Sequence, residues 1–141
     1  MDLKAILRTI PDFPKPGINF IDITPILKDP AAFRETIDRL SLIARDCAIT
    51  QVAAIESRGF IYGSAVALEC GAGFVPIRKP GKLPARTISQ TYDLEYGSDC
   101  VEMHADALDA GDKVLLVDDL LATGGTMQAA VKLVESTGAT V

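Results

Sequence analysis

Apolar positions in the 141-residue chain alternate between short continuous runs and helical spacings. From Asp2 to Ile10 the spacing predicts a short helix stopped by Pro11. The stretch PDFPKPGINF, Pro11 to Phe20, holds three prolines and a glycine and reads as a stiff, irregular loop that presents Phe20. Asp29 then supplies an N-cap and Pro30 a first helical residue, and Phe33, Ile37, Leu40 and Ala44 recur behind them on one face. Val52 to Ile55, Phe60 to Glu69 closed by Gly71, and Phe74 to Ile77 read as strand, helix, strand, the signature of a parallel crossover. Lys113 to Val117 reads as a second buried strand. A helix face at Met127, Ala130, Val131 and Val134 follows it and ends at Gly138, where another strand begins. Between these units, Thr87 to His104 turns at Tyr96-Gly97-Ser98 and predicts an antiparallel hairpin. The expected architecture is an α/β open sheet, mainly parallel and flanked by helices. No repeat, linker or charge block divides the chain, so one domain, residues 1–141, is expected.

Composition narrows the class. With 48% hydrophobic and 23% charged residues the chain is a folding sequence, and its net charge of −5 argues against general nucleic-acid binding. Cys47, Cys70 and Cys100 have no paired spacing and His104 is the single histidine, so neither a disulfide framework nor a zinc cluster is expected. No run approaches the about 18 apolar residues of a membrane span. A soluble cytoplasmic protein is the expectation.

The chemistry concentrates in Val114 to Met127, VLLVDDLLATGGTM. A buried strand delivers Asp118 and Asp119 to its carboxyl end, where open parallel sheets bind ligands. Ala122, Thr123, Gly124, Gly125 and Thr126 follow, offering backbone amides, two hydroxyls and the positive end of a helix. Such a loop suits a phosphate, while the carboxylates suit a sugar diol and Mg²⁺, so the combined ligand is a phosphorylated ribose. No Walker A loop or GxGxxG is present. An ordinary strand-to-helix turn with solvated aspartates is the plainer alternative. In Glu56-Ser57-Arg58-Gly59-Phe60 a strand end enters a helix, and free amides, the Ser57 hydroxyl and the Arg58 charge suit a diphosphate. A surface ion pair is the alternative for Arg58.

The segment Val114–Met127 resembles the phosphoribosyl diphosphate motif of the type I phosphoribosyltransferases. PDFPKPGINFIDITPILKDP, ESRGF, IRKPGKLP and YDLEYG extend the resemblance, toward the adenine-specific members, along almost the whole chain. It implies a type I phosphoribosyltransferase fold with a small N-terminal hood over the base (residues 1–30), a core (31–141) and a flap at about 82–104. It implies transfer of the 5-phosphoribosyl group from phosphoribosyl diphosphate to adenine, giving AMP and diphosphate in purine salvage, with Mg²⁺ carried by the substrate near Asp118 and Asp119. A homodimer is implied, with no nucleic-acid or membrane partner. The family continues for further strand and helix segments, so a C-terminal strand and helix are expected to be missing.

Residue roles follow from the same resemblance. Asp118 and Asp119 fall on ribose, Ala122, Thr123, Gly124, Gly125 and Thr126 on the 5-phosphate, and Ser57 and Arg58 on diphosphate, with a cis peptide at Glu56-Ser57. Arg78, Lys82 and the flap's Tyr96 also fall to phosphoribosyl diphosphate, Arg78 and Lys82 in their own site or across a dimer; the direction of Lys79 stays open. Phe20 stacks on adenine while the backbone of Asn19 and Ile21 reads its edge. Glu95, in a lid that excludes water, serves as general acid or base, and is grouped with Arg58 as catalytic. His104 is read as structural. The rival is a ligand-sensing regulator retaining the phosphoribosyl site, for which the N-terminus offers no DNA-binding helix pair or basic face.

Overall fold

A computed structural model describes every residue from Met1 to Val141 and divides into two compact units, Met1–Leu40 and Ser41–Val141. In the first, a single 3-10 turn, Leu3–Ala5, leads into strand β1 (Arg8–Ile10), which pairs antiparallel with β2 (Phe20–Asp22). The helix expected over Asp2–Ile10 is therefore a 3-10 turn and a strand. The reason is non-local: Arg8 lies opposite Asp22 in register and its Nε and Nη2 donate to Asp22 Oδ2 at 2.9 and 2.6 Å. An isolated nine-residue helix is too short to compete with such pairing. Phe20 likewise opens a strand instead of ending a loop. The preceding loop is tied internally, with Phe13 N donating to Ile18 O at 3.0 Å and Gly17 N to Asp12 Oδ1 at 2.8 Å.

Helix α1 (Thr24–Lys28) follows, and helix α2 (Pro30–Asp46) starts where the Asp-Pro pair predicts. Asp29 Oδ1 accepts from the amides of Ala31 and Ala32 at 2.9 and 3.0 Å, satisfying two donors that no helical carbonyl reaches.

The second unit is built on a parallel sheet in the order β4 (Gly73–Ile77), β3 (Gln51–Ile55), β7 (Val114–Val117). Helix α3 (Arg58–Cys70) makes the crossover between β3 and β4 and ends at Gly71 with φ +65°. Strands β5 (Thr87–Asp93) and β6 (Ser98–His104) form the antiparallel hairpin, and helix α4 (Gly125–Glu135) follows β7. Thr140 makes a parallel bridge to Lys113, which is the strand start expected after Gly138.

Alternation along β3 divides the packing. Val52 and Ala54 meet α3, where a Cβ on Gly63 would lie 2.6 Å from the Ala54 Cβ, so only glycine permits this approach. Ala53 and Ile55 join the main core with Ile77, Val101, Met103, Leu133 and Val134, supplied by β4, the hairpin and α4. Each large aliphatic side chain so buried contributes roughly 1.5–3 kcal/mol.

The register places the strand ends together. Ile55 pairs with Ile77 and Ala54 with Val117, so Glu56, Arg78 and Asp118 all emerge at one carboxyl edge. The Glu56 amide continues the ladder by donating to Ile77 O at 3.0 Å.

Candidate active site

At that edge lies a cavity of about 390 Å³ lined by Ile55 to Arg58, Lys79 and residues 118–127. Three local events shape it. The chain leaves β3 through a cis peptide between Glu56 and Ser57, as expected, and enters α3 at Arg58. Gly59, in the first turn of α3, lies so close to β7 that an added Cβ would be 3.0 Å from Val117 O and 3.1 Å from Asp118 Oδ1. Gly124 caps α4 with φ +87°, a left-handed conformation that glycine adopts without steric cost. The amides of the first turn of α4 thus face the cavity without helical carbonyl partners.

The paired carboxylates are not equivalent. Asp119 is nearly buried and its Oδ2 lies 2.6 Å from Arg58 Nε. Asp118 accepts the Asp119 amide on Oδ1 at 2.9 Å, and its carboxyl is pushed up to about 6, first by burial and then by the neighbouring aspartate, against the pull of that amide and of Arg58. Two adjacent carboxylates share one guanidinium, so Asp119 takes the ion pair and Asp118 releases its proton less readily than an ordinary aspartate.

Glu56, part of the cavity lining, collects cations. Its Oε2 lies 2.6 Å from Lys82 Nζ, its Oε1 accepts from the Lys79 amide at 2.6 Å, and Arg78 Nε stands 3.4 Å away. Burial raises its pKa, but the Lys82 and Lys79 hydrogen bonds outweigh that and hold it below the usual glutamate range. Lys79 Nζ donates to Tyr92 Oη at 3.0 Å and to Asp99 Oδ2. Burial alone would lower the pKa of this ammonium; the partners Asp99 and Tyr92 raise it above the ordinary lysine value.

Of the residues singled out in the sequence, Ser57, Arg58, Asp118, Asp119, Ala122, Thr123, Gly124, Gly125 and Thr126 line one cavity. Arg78 and Lys82 do not line it and instead flank Glu56. Glu95 and Tyr96 stand on the hairpin turn, outside the lining, with Tyr96 87% exposed. Asn19, Phe20 and Ile21 belong to the first unit, where the Phe20 ring meets Phe13 edge-on at 5.2 Å. His104 Nε2 accepts the Ala85 amide at 3.3 Å, a structural bond. Glu56, Tyr92 and Asp99 were not singled out. Tyr92 and Asp99 lie opposite each other because the hairpin is centred between Glu95 and Tyr96, a register that the Tyr96-Gly97-Ser98 signal in the sequence does not give.

Comparison with known proteins agrees with this geometry. The family model described as "Phosphoribosyl transferase domain" matches residues 24–141. A protein named adenine phosphoribosyltransferase from Pectobacterium atrosepticum is 56% identical over 139 residues, 99% of this chain and 75% of that one. The protein of that name from Kosmotoga olearia is 56% identical over 141 residues, 100% of this chain and 83% of its own. The crystal structure of adenine phosphoribosyltransferase from Thermoanaerobacter pseudethanolicus superposes with a TM-score of 0.95 at 54% identity, covering 99% of this chain and 81% of that chain. That of the Saccharomyces cerevisiae enzyme, complexed with an imino-altritol bisphosphate and adenine, gives 0.94 at 43% identity, covering 99% and 82%. Sequence identity extends across nearly the entire chain that carries the paired carboxylates, glycine loop and arginine, and the chain belongs to the phosphoribosyltransferase family, in its adenine phosphoribosyltransferase branch.

Proposed function

We propose that this chain transfers the 5-phosphoribosyl group of phosphoribosyl diphosphate to adenine, releasing AMP and diphosphate. The observation that carries the reading is the convergence of Asp118, Asp119, Arg58 and the 122–126 loop on one cavity. The solved relatives add support: the yeast structure holds adenine, and that from Trypanosoma brucei holds AMP, pyrophosphate and ribose 5-phosphate.

In this reading the loop amides and the hydroxyls of Thr123 and Thr126 bind the 5-phosphate at the positive end of α4. Asp118 and Asp119 accept hydrogen bonds from the ribose hydroxyls, and Ser57 and Arg58 hold the diphosphate. Arg78 and Lys82 add positive charge nearby, balanced by Glu56 until the polyanion arrives. An imidazole nitrogen of adenine attacks C1′ as the bond from C1′ to the diphosphate oxygen breaks; the leaving diphosphate takes that electron pair. Glu95 receives the proton that the attacking nitrogen sheds, and closure of the hairpin, with Tyr96 over the substrate, excludes water from the electron-poor C1′. Phe20 offers its ring face to adenine, and the backbone of Asn19 and Ile21 its edge contacts.

The donor set also bears on Mg²⁺. The chain gathers no cluster of three or more metal-binding side chains, but two adjacent carboxylates suit a hard cation that draws its other ligands from substrate oxygens and water. Asp118 and Asp119 would face it, and when bound it neutralises charge on the departing diphosphate. A homodimer in a reducing cytoplasm completes the reading, consistent with three free cysteines.

The test is formation of AMP and diphosphate from phosphoribosyl diphosphate with Mg²⁺ and each of adenine, hypoxanthine, guanine and uracil. Turnover with adenine alone is expected. Turnover with another base instead, or binding of phosphoribosyl diphosphate without turnover of any base, would overturn the proposal.

A further inference from the structure

The Tyr92 hydroxyl joins three elements around the cavity. It accepts from Lys79 Nζ at 3.0 Å and from Thr126 Oγ1 at 3.2 Å, and donates to Asp99 Oδ2 at 3.2 Å. A phenol oxygen has one proton and two lone pairs, so all its capacity is used. Lys79 and Thr126 both line the cavity, one beyond the end of β4 and the other in the first turn of α4. Tyr92 and Asp99 do not line it, yet they face each other across the hairpin one residue pair before its turn. The Tyr92 ring also supports the phosphate loop, since a Cβ on Gly125 would sit 3.6 Å from ring Cδ2. The Asp99 carboxylate completes the arrangement by pairing with Lys79.

We propose that Tyr92 is a positioning residue for phosphoribosyl diphosphate: its hydroxyl, backed by Asp99, fixes the Thr126 hydroxyl and the Lys79 ammonium and roots the hairpin on the 5-phosphate loop. The inference rests on the function proposed above. In that reading Thr126 binds the 5-phosphate, which does not change bonding, so it holds ground state and transition state alike. Its misplacement therefore raises KM and spares kcat.

The test compares wild type with Tyr92→Phe, which keeps the ring against Gly125 and removes only the hydroxyl. KM for phosphoribosyl diphosphate, and its Kd by calorimetry without adenine, are expected to rise about 3- to 10-fold, the loss of a typical hydrogen bond. The kcat and the adenine KM stay within about twofold, and Tm within about 2 °C, because packing is preserved. In a Thr126→Val background the added Tyr92→Phe effect shrinks, since the two share one bond. Unchanged affinity for phosphoribosyl diphosphate in an active wild type overturns the positioning role and leaves the functional reading standing. So does a fall in kcat at constant KM. A wild type that neither binds nor consumes phosphoribosyl diphosphate overturns the functional reading itself.

Discussion

Replacing Asp118 by Asn separates what the site needs from what the fold prefers. Asn retains the Oδ1 that accepts the Asp119 amide, so the local geometry is kept. What it removes is a carboxylate whose pKa is pushed from 3.8 to about 6 by burial and by its neighbour. A group raised in this way favours the folded state fully below its unfolded pKa, and that contribution is lost as pH rises through the folded value. The interval from 3.8 to about 6 corresponds to about 3 kcal/mol at 1.36 kcal/mol per decade. Asp118 is only half-buried, and solvent screening reduces this to about 1–2 kcal/mol. Asp118→Asn is therefore expected to stabilise the ligand-free protein above pH 7 by that amount, about 3–6 °C in Tm, with the difference vanishing toward pH 4. Over the same exchange, kcat/KM falls about tenfold to a hundredfold, as the charged acceptor for the ribose hydroxyls is lost. Thermal unfolding of both proteins between pH 4 and 8, without metal or substrate, measures the first effect, and initial rates the second. A variant less stable than wild type at pH 7.5, or a difference independent of pH, would refute the account of Asp118 as a carboxylate held against its own ionisation.

Two further substitutions probe how the fold presents the site. Gly59→Ala places a Cβ against Val117 O and Asp118 atoms, two of them backbone that cannot yield cheaply, so urea unfolding should show a loss of about 1–3 kcal/mol despite the gain in helix propensity. An unchanged midpoint would mean that α3 moves freely away from β7. Asp29→Ala removes the acceptor for the Ala31 and Ala32 amides and should cost about 1 kcal/mol in the same assay. Activity per folded molecule should stay unchanged, because the cap touches no ligand group.

Much of the site was legible because its parts are contiguous. A buried strand, two aspartates, a glycine loop and a helix start follow one another over residues 114–127, and the order of residue types alone states which end of the sheet they occupy. The Asp29-Pro30 helix start was legible for the same reason, and so was the hairpin, although its turn spans Leu94–Gly97 and Ser98, read as part of the turn, already pairs with Asp93. Reading failed where distant residues compete with local pattern. Helical spacing over Asp2–Ile10 yielded to a strand because Arg8 finds Asp22, 14 positions on. Glu56 looked like a strand-end residue until β4 and the loop after it brought Arg78, the Lys79 amide and Lys82 against it. Tyr92 reaches Thr126 across 34 positions, a contact created by packing of the hairpin against α4. The raised pKa of Asp118 belongs to the same class. Sequence alone determined that two carboxylates would sit side by side; burial against α3 and the pairing of Arg58 with Asp119 decided that Asp118 is the one held against ionisation, because desolvation and ion pairing exist only once the chain has closed around them.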